Sequence, residues 1–146
     1  MLSRVEKVLA LKNVELFHDI SGEVLADIAS FLEEIAYDKG SYIVNEGELG
    51  KELYIIIEGE VEVVSSGVRI DKMTSGASFG EMSIIDSQPR SADVVAIEDV
   101  LLLKIERDDF YEILKQREEV ALGVIRVLNR RIRNLNLRLL EKGNKK

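Results

Sequence analysis

Residues 79–94 read FGEMSIIDSQPRSADV, and the rest of the chain is organised around this stretch. Gly80 has no side chain, so a ligand can approach the backbone closely at this point. The residues that follow, 81–86, could form one helical turn whose free N–H groups face the glycine, an arrangement that binds anions. Arg90 adds a planar, permanently charged fork that suits a phosphate. The stretch therefore predicts a phosphate site built from backbone amides and one arginine.

Glu81 does not fit a plain anion site. A carboxylate next to a phosphate is repelled unless it accepts a hydrogen bond from a neighbouring hydroxyl, and a ribose hydroxyl beside the phosphate would supply that donor. The alternative is a solvent-exposed turn around Pro89, in which Glu81 and Arg90 form a surface ion pair of little energetic value.

The stretch resembles the phosphate-binding cassette of the cyclic nucleotide-binding domain family, of the catabolite activator and protein kinase A regulatory subunit type. The shared pattern is F-G-E, a short apolar helix, a loop, and then P-R-[AS]-A with a β-branched residue. The matching residues are Phe79, Gly80, Glu81, Met82, Ile84, Ile85, Pro89, Arg90, Ser91, Ala92 and Val94. This number of matches, in order, favours a ligand site over an ordinary turn.

The resemblance implies that Glu81 contacts the ribose 2′-hydroxyl and that Arg90 contacts the cyclic phosphate. The residues it places at the ligand within the cassette are Phe79, Gly80, Glu81, Met82, Ser83, Arg90, Ser91 and Ala92. Asp93 departs from the pattern, since many eukaryotic relatives carry Thr or Ser there. The hydroxyl that favours guanine in some relatives is therefore absent.

The composition indicates one domain with a core. The chain has 146 residues, of which 46% are hydrophobic and 32% charged, and this balance suits a single domain over residues 1–146. Residues 117–146 contain nine basic and three acidic residues, which gives this segment a net charge of +6. Because the whole chain has a net charge of −7, residues 1–116 carry −13. We interpret the basic tail as a solvated helix face and expect no direct binding to nucleic acid.

Several classes of protein do not fit the sequence. Cysteine is absent, which excludes disulfides, thiolate metal sites and cysteine nucleophiles. No apolar run approaches the roughly 20 residues that cross a bilayer, and the charged start is not a signal peptide, so we expect a cytoplasmic protein. His18 lies outside the cassette, and no metal spacing or nucleophile–base arrangement is found, so the sequence indicates neither an enzyme nor a metal site.

Hydrophobic periodicity predicts helices at both ends of the chain and strands between them. The N-terminal helices are predicted at 3–12, with Ser3 and Glu6 as a capping box, and from the N-cap Ser21 to about Phe31. The short strands are predicted at 41–44, 52–57, 61–64, 68–73, 93–97 and 101–105. Short strands with a turn every eight to ten residues are typical of a sandwich or barrel.

The resemblance implies the specific version, a mainly β member of the α+β class. It is an eight-stranded antiparallel jelly roll, or double-stranded β-helix, with helices at both ends. The expected segments are N-terminal helices at 1–32, the roll at 33–106 and two C-terminal helices at 107–141.

The last helix is predicted from Arg117 to about Glu141 and carries two apolar groups. The first is a heptad seam with spacings of 4, 3, 4, 3 and 4, formed by Ala121, Ile125, Leu128, Ile132, Leu135 and Leu139. The second, formed by Val120, Val124 and Val127, faces elsewhere and is expected to pack on the roll. The seam predicts a homodimer through this helix, with packing inside the domain as the alternative.

In the family this helix also supplies a lid over the base, and the residues expected there are Asn134, Leu135 and Asn136. Asn136 could hydrogen-bond an adenine edge and Leu135 could cover the ring face, whereas plain solvation is the alternative for both asparagines.

We therefore expect a sensor that prefers cAMP to cGMP and relays ligand occupancy through this helix. The alternative is an orphan domain of the same fold that mediates protein interaction or dimerisation without nucleotide. Orphans commonly lack Glu81 or Arg90, and this chain has both.

Overall fold

The computed structural model describes residues 1–80 and 85–144. The helical turn predicted at 81–86 lies mostly outside the described residues. Only its residues 85 and 86 are described, and both are helical. The site predictions for Glu81, Met82 and Ser83 also lie outside the described residues.

The N-terminal segment forms two helices joined by a 3₁₀ turn. Helix α1 spans Arg4–Lys12, the turn spans Glu15–Phe17, and helix α2 spans Gly22–Ala29. The predicted capping box is present, because Ser3 and Glu6 each accept a hydrogen bond from the other's backbone N–H. The hydrogen bond from the Ser3 N–H, with a contribution from the Ser3 side chain, lowers the pKa of the Glu6 carboxyl. The predicted N-cap Ser21 likewise accepts from the Val24 N–H.

In the described part of the chain, eight strands follow, in two antiparallel four-stranded sheets. They are β1 (Glu33–Tyr37), β2 (Tyr42–Val44), β3 (Glu52–Glu58), β4 (Val61–Ser65), β5 (Val68–Met73), β6 (Ser78–Phe79), β7 (Asp93–Ala96) and β8 (Val100–Glu106). The strand orders are β1-β8-β3-β6 and β2-β7-β4-β5. This is the eight-stranded jelly roll that the resemblance implied, and the α+β class is confirmed.

Strands β3 and β8 separate two apolar clusters, which explains their nearly continuous hydrophobic sequences. Leu53 and Ile55 of β3 face the outer cluster with the helices, whereas Tyr54 and Ile56 face the cluster inside the roll. Side chains alternate between the faces of a strand, so a strand covered on both faces needs apolar residues throughout.

The remaining helices close the outer face of the first sheet. Helix α3 spans Arg107–Gln116 and helix α4 spans Glu118–Asn144. The group predicted to pack inward, Val120, Val124 and Val127, is buried in the outer cluster. Every residue from 132 to 143 is exposed, so the second half of α4 has no cover within the described part of the chain.

Candidate functional site

The segment around Arg90 is held by the loop that follows β2. The Gly47 N–H donates to the Arg90 carbonyl at 2.9 Å, and the Arg90 N–H donates to the Glu48 carbonyl at 2.8 Å. Next to these bonds, Leu49 and Pro89 form an isolated antiparallel bridge. The loop thus pairs with the cassette as a short strand would and fixes the direction in which Arg90 leaves the backbone.

The Arg90 side chain is buried, with only 5% of its surface exposed. Its guanidinium donates to the carbonyl of Glu52 at 2.8 Å and to that of Gly80 at 3.2 Å, and it lies 3.6 Å from the Glu52 carboxylate. Burial lowers the pKa of Arg90, while the nearby Tyr54 and Glu52 act in the opposite direction. An arginine remains protonated despite such a shift, so a fixed positive charge lies at this point.

Two glycines make room for this guanidinium. A Cβ at Gly50 would lie 1.9 Å from Arg90 Nε, and a Cβ at Gly80 would lie 2.6 Å from an Arg90 terminal nitrogen and 2.7 Å from the Glu52 carbonyl oxygen. Gly80 also has φ +95°, a conformation that side chains disfavour. Both positions must therefore lack a side chain if Arg90 is to occupy its place.

An inner cavity of about 130 Å³ opens above Arg90. Its polar wall comes from Ser78, Gly80, Arg90 and Ser91, and Arg131 of α4 reaches it from the other side. The remaining walls are apolar and are formed by Val44, Val63, Met73, Phe79, Ala92 and Val94. A small anion with an apolar neighbour fits this arrangement, because a low-dielectric wall strengthens its attraction to the guanidinium.

A second, outer cavity of about 530 Å³ shares Val63, Met73, Ser78 and Arg131 with the inner one, so the two are adjacent. One wall is strand β5 with the turn after it. Another wall is a face of α4 formed by Arg131, Asn134, Leu135 and Arg138, whose spacings of three and four place them on one side of the helix. The outer cavity can hold a larger group attached to the anion.

The described cassette residues meet at the inner cavity. Phe79, Gly80, Arg90, Ser91 and Ala92 all line it, and the Phe79 ring stacks on Tyr54 with 5.1 Å between centroids. The lid candidates are divided. Asn134 and Leu135 line the outer cavity, whereas Asn136 lies outside the lining of both cavities.

Sequence reasoning did not assign Arg131, Gly50 or Glu52 to the site. Arg131 could have been found by extending the lid face back from Asn134 and Leu135 by one helical turn. Gly50 and Glu52 gave no such signal, because only the fold brings their loop and strand against Arg90.

Asp93, where the chain departs from the cassette pattern, has a structural role. Its carboxylate accepts a hydrogen bond from the Glu46 N–H at 2.6 Å, and it lines neither cavity. The Glu46 carboxylate in turn accepts from the Ser65 hydroxyl and the Ser66 N–H, each at 3.0 Å. Asp93 thus joins the loop after β2 to the start of β7.

Two further properties concern the described part of the chain. No three of its His, Asp and Glu side chains are grouped so that they could hold a metal ion. None of its helices combines the length and apolarity needed to cross a bilayer.

The fold and the arginine site define the class of protein. The profile of the cyclic nucleotide-binding domain matches residues 34–117, more than half of the chain. The chain therefore belongs to the cyclic nucleotide-binding domain family.

Three similar proteins illustrate the range of the family. The chain is 32% identical over 134 residues to the cyclic AMP receptor protein of Thermus thermophilus, a match that covers 88% of this chain and 62% of that protein. It is 35% identical over 130 residues to human cGMP-dependent protein kinase 2, covering 82% of this chain and 17% of the kinase. A solved cyclic nucleotide-binding domain from Methylobacillus flagellatus superposes with a TM-score of 0.78 at 29% identity, covering 95% of this chain and 83% of that one.

Proposed function

We propose that the chain is a sensor module that binds a cyclic nucleotide, prefers cAMP to cGMP, and relays occupancy through α4. The observation that carries the proposal is the buried guanidinium of Arg90 at the floor of an otherwise largely apolar cavity. A buried charge is costly unless it is paired, and a cyclic phosphate is an anion of the right size to complete its pairing. This role is one of binding rather than catalysis.

The ligand is oriented by the chemistry of the two cavities. The phosphate occupies the inner cavity against Arg90 and Ser91, and Glu81 accepts from the ribose 2′-hydroxyl as the family resemblance implies. The base then extends into the outer cavity, between β5 and the α4 face that includes Asn134 and Leu135. No role is assigned to Asn136, which remains an untested candidate from the sequence.

The preference for cAMP is the finer part of the proposal. The relatives named for cAMP and for cGMP are similarly identical to this chain, so identity alone does not select a base. The absence of a hydroxyl at Asp93, whose carboxylate is engaged by Glu46, disfavours guanine. Isothermal titration of the purified chain with cAMP and cGMP tests both parts. Flat titrations to millimolar concentration would refute nucleotide binding, and tighter binding of cGMP would refute only the preference.

The second candidate is an orphan domain that dimerises or binds a protein without nucleotide. It is favoured by the internal pairing of Arg90, which has two carbonyls and the Glu52 carboxylate within reach. Such pairing lets the cavity stay empty at little cost. Flat titrations combined with a stable dimer would select this function. The cytoplasmic location and the absence of nucleic-acid binding stay predictions from the sequence.

Removal of the exposed half of α4 is expected to weaken cAMP binding without unfolding the domain. A chain that stops after Arg131 loses the exposed residues 132–143 and residues 144–146, while the buried Val120, Val124 and Val127 remain. The expected loss is roughly tenfold, because Leu135 is exposed in the structure and the base would cover it, and full burial of a leucine contributes about 1.5–3 kcal/mol.

Hydrogen exchange provides the companion measurement. In the full chain, hydrogen exchange at 132–140 is expected to slow when cAMP is added, because contacts between the base and α4 stabilise the state in which the helix covers the ligand. Slowing confined to the cassette, together with full affinity in the shortened chain, would show that α4 neither covers the base nor transmits its presence.

A homodimer through the α4 seam is expected. Ile132, Leu135 and Leu139 are 56%, 55% and 68% exposed, a row of apolar side chains that a second α4 would cover. Sedimentation at about 100 μM is expected to give a dimer, and Ile132→Asp to give a monomer. Asn129→Asp, which adds the same charge off the seam, is the control. A wild-type monomer at that concentration would contradict the prediction.

A further inference from the structure

Strand β5 carries a carboxylate where its pairing calls for an apolar residue. Asp71 is opposite Val63 of β4, and Met73 is opposite Val61. Directly opposed residues of an antiparallel pair point to the same face of the sheet. Val61 and Val63 are buried in the cluster inside the roll, and Met73 packs against that cluster. Asp71 therefore lies on the same side of the sheet as Val63 and Met73.

The position of Asp71 places its carboxylate at the outer cavity, which it lines together with Met73 and the α4 face. One carboxylate oxygen accepts from the Lys72 N–H at 2.8 Å, and the other has no hydrogen-bond partner among residues 1–80 and 85–144. Asp71 is exposed, so this second oxygen is open to accept a hydrogen bond from a ligand in the cavity.

We propose that Asp71 selects the base by accepting a hydrogen bond from the 6-amino group of adenine. This inference rests on the proposed function, since it takes the phosphate at Arg90 as the anchor. Val63 and Met73 line both cavities, so a base attached to the anchored sugar passes over them toward Asp71. An ionised carboxylate is an acceptor only. It attracts the amino group at position 6 of adenine and repels the carbonyl oxygen that guanine carries there.

The α4 wall of the same cavity offers a competing mode of recognition. Arg131 and Arg138 line the outer cavity from α4, and arginine is the side chain that most often contacts the O6 and N7 acceptors of guanine. The two modes predict opposite effects when the charge of Asp71 is removed. If the arginines set the preference, Asp71 does not affect the relative affinities of the two nucleotides.

The test is titration of the wild-type chain and of Asp71→Asn with three ligands. They are cAMP, cGMP and the 3′,5′-cyclic monophosphate of purine riboside, which has hydrogen at position 6. Asparagine keeps the oxygen that accepts from Lys72, so the strand is preserved. The Asp71→Asn substitution is expected to weaken cAMP binding about tenfold, because it removes a hydrogen bond to a charged group. The affinity for the purine riboside analogue should change less than twofold. The ratio of the affinities for cAMP and cGMP should become smaller.

Glu98→Gln is the matched control, because it removes one exposed carboxylate that lines neither cavity. It is expected to leave all three affinities unchanged. Equal weakening of all three ligands by Asp71→Asn, or no change in any, would overturn the role of Asp71 while leaving the proposed function intact. Failure of the wild-type chain to bind any of the three would overturn the proposed function, and this inference with it.

Discussion

Replacement of Arg90 by alanine is expected to weaken cAMP binding by about 2–4 kcal/mol, a loss of roughly 30-fold to several hundred-fold. The effect is large because the guanidinium is buried and the phosphate would be left in an apolar cavity without its charged partner. Isothermal titration with cAMP measures it. Arg126→Ala, which removes an exposed arginine of α4 outside both cavities, is the control and should bind as the wild type does.

The same substitution also has a folding cost that must be measured separately. Without Arg90, the carbonyls of Glu52 and Gly80 lose their donor, which is expected to lower the free energy of unfolding by about 1–3 kcal/mol. Denaturant unfolding without ligand gives this value. Arg90→Lys keeps the positive charge but lacks the planar, bidentate donors of the guanidinium. It should bind cAMP with an affinity between those of the wild type and Arg90→Ala. An Arg90→Ala chain that is folded and binds cAMP like the wild type would show that the phosphate lies elsewhere.

The helices could be predicted well because their signals are local. Ser3, Glu6 and Ser21 cap their helices through groups within three residues, so the sequence contains the whole interaction. Helix α2 ends at Ala29, two residues before the predicted end, because the N–H groups of Phe31 and Leu32 already form the turn into β1. Helix ends are the part that local signals locate least well.

Strands β1 and β6 could not be predicted from periodicity. The sequence of β1, EEIAY, has no fully buried side chain, and its extended form depends on pairing with β8 some 65 residues later. Strand β6 has two residues, too few to show alternation, and is defined by its pairing with β3. The expectation of eight strands therefore came from the family resemblance and not from the pattern.

The site divides in the same way. The site residues between Phe79 and Ala92 are close together in the sequence, so the positions of Gly80 and Arg90 at one cavity could be anticipated. The partners that hold Arg90 in place, Gly50 and Glu52, lie about 40 residues earlier and meet it only after the sheets have formed. Long-range contacts of this kind leave no spacing in the sequence.

Gly50→Ala is expected to weaken cAMP binding by about 1–3 kcal/mol, although Gly50 itself lines neither cavity. The new Cβ would lie 1.9 Å from Arg90 Nε and 2.0 Å from Cζ, so both groups cannot keep their places. The obstructed atoms are the far end of a flexible side chain, while the backbone of the loop is hydrogen-bonded to the Arg90 backbone at Gly47 and Glu48. The guanidinium is therefore the part that moves, and the phosphate loses a correctly placed donor.

Titration with cAMP measures this loss, and the resonance of the Arg90 Nε–H reports the displacement directly. Gly22→Ala is the matched control. It makes the same substitution at the start of α2, where nothing lies within 4 Å of the new Cβ. It should leave both the affinity and the resonance unchanged. A Gly50→Ala chain that keeps wild-type affinity would mean that Arg90 can bind the phosphate from a second position.

A double substitution separates displacement of Arg90 from general damage to the loop. If Gly50→Ala acts through Arg90, then adding it to Arg90→Ala removes nothing further, and the two effects on binding are strongly non-additive. If it acts by disturbing the loop, the losses in the double variant add. Additive losses would remove Gly50 from the set of residues that position Arg90, even if the single substitution weakens binding as expected.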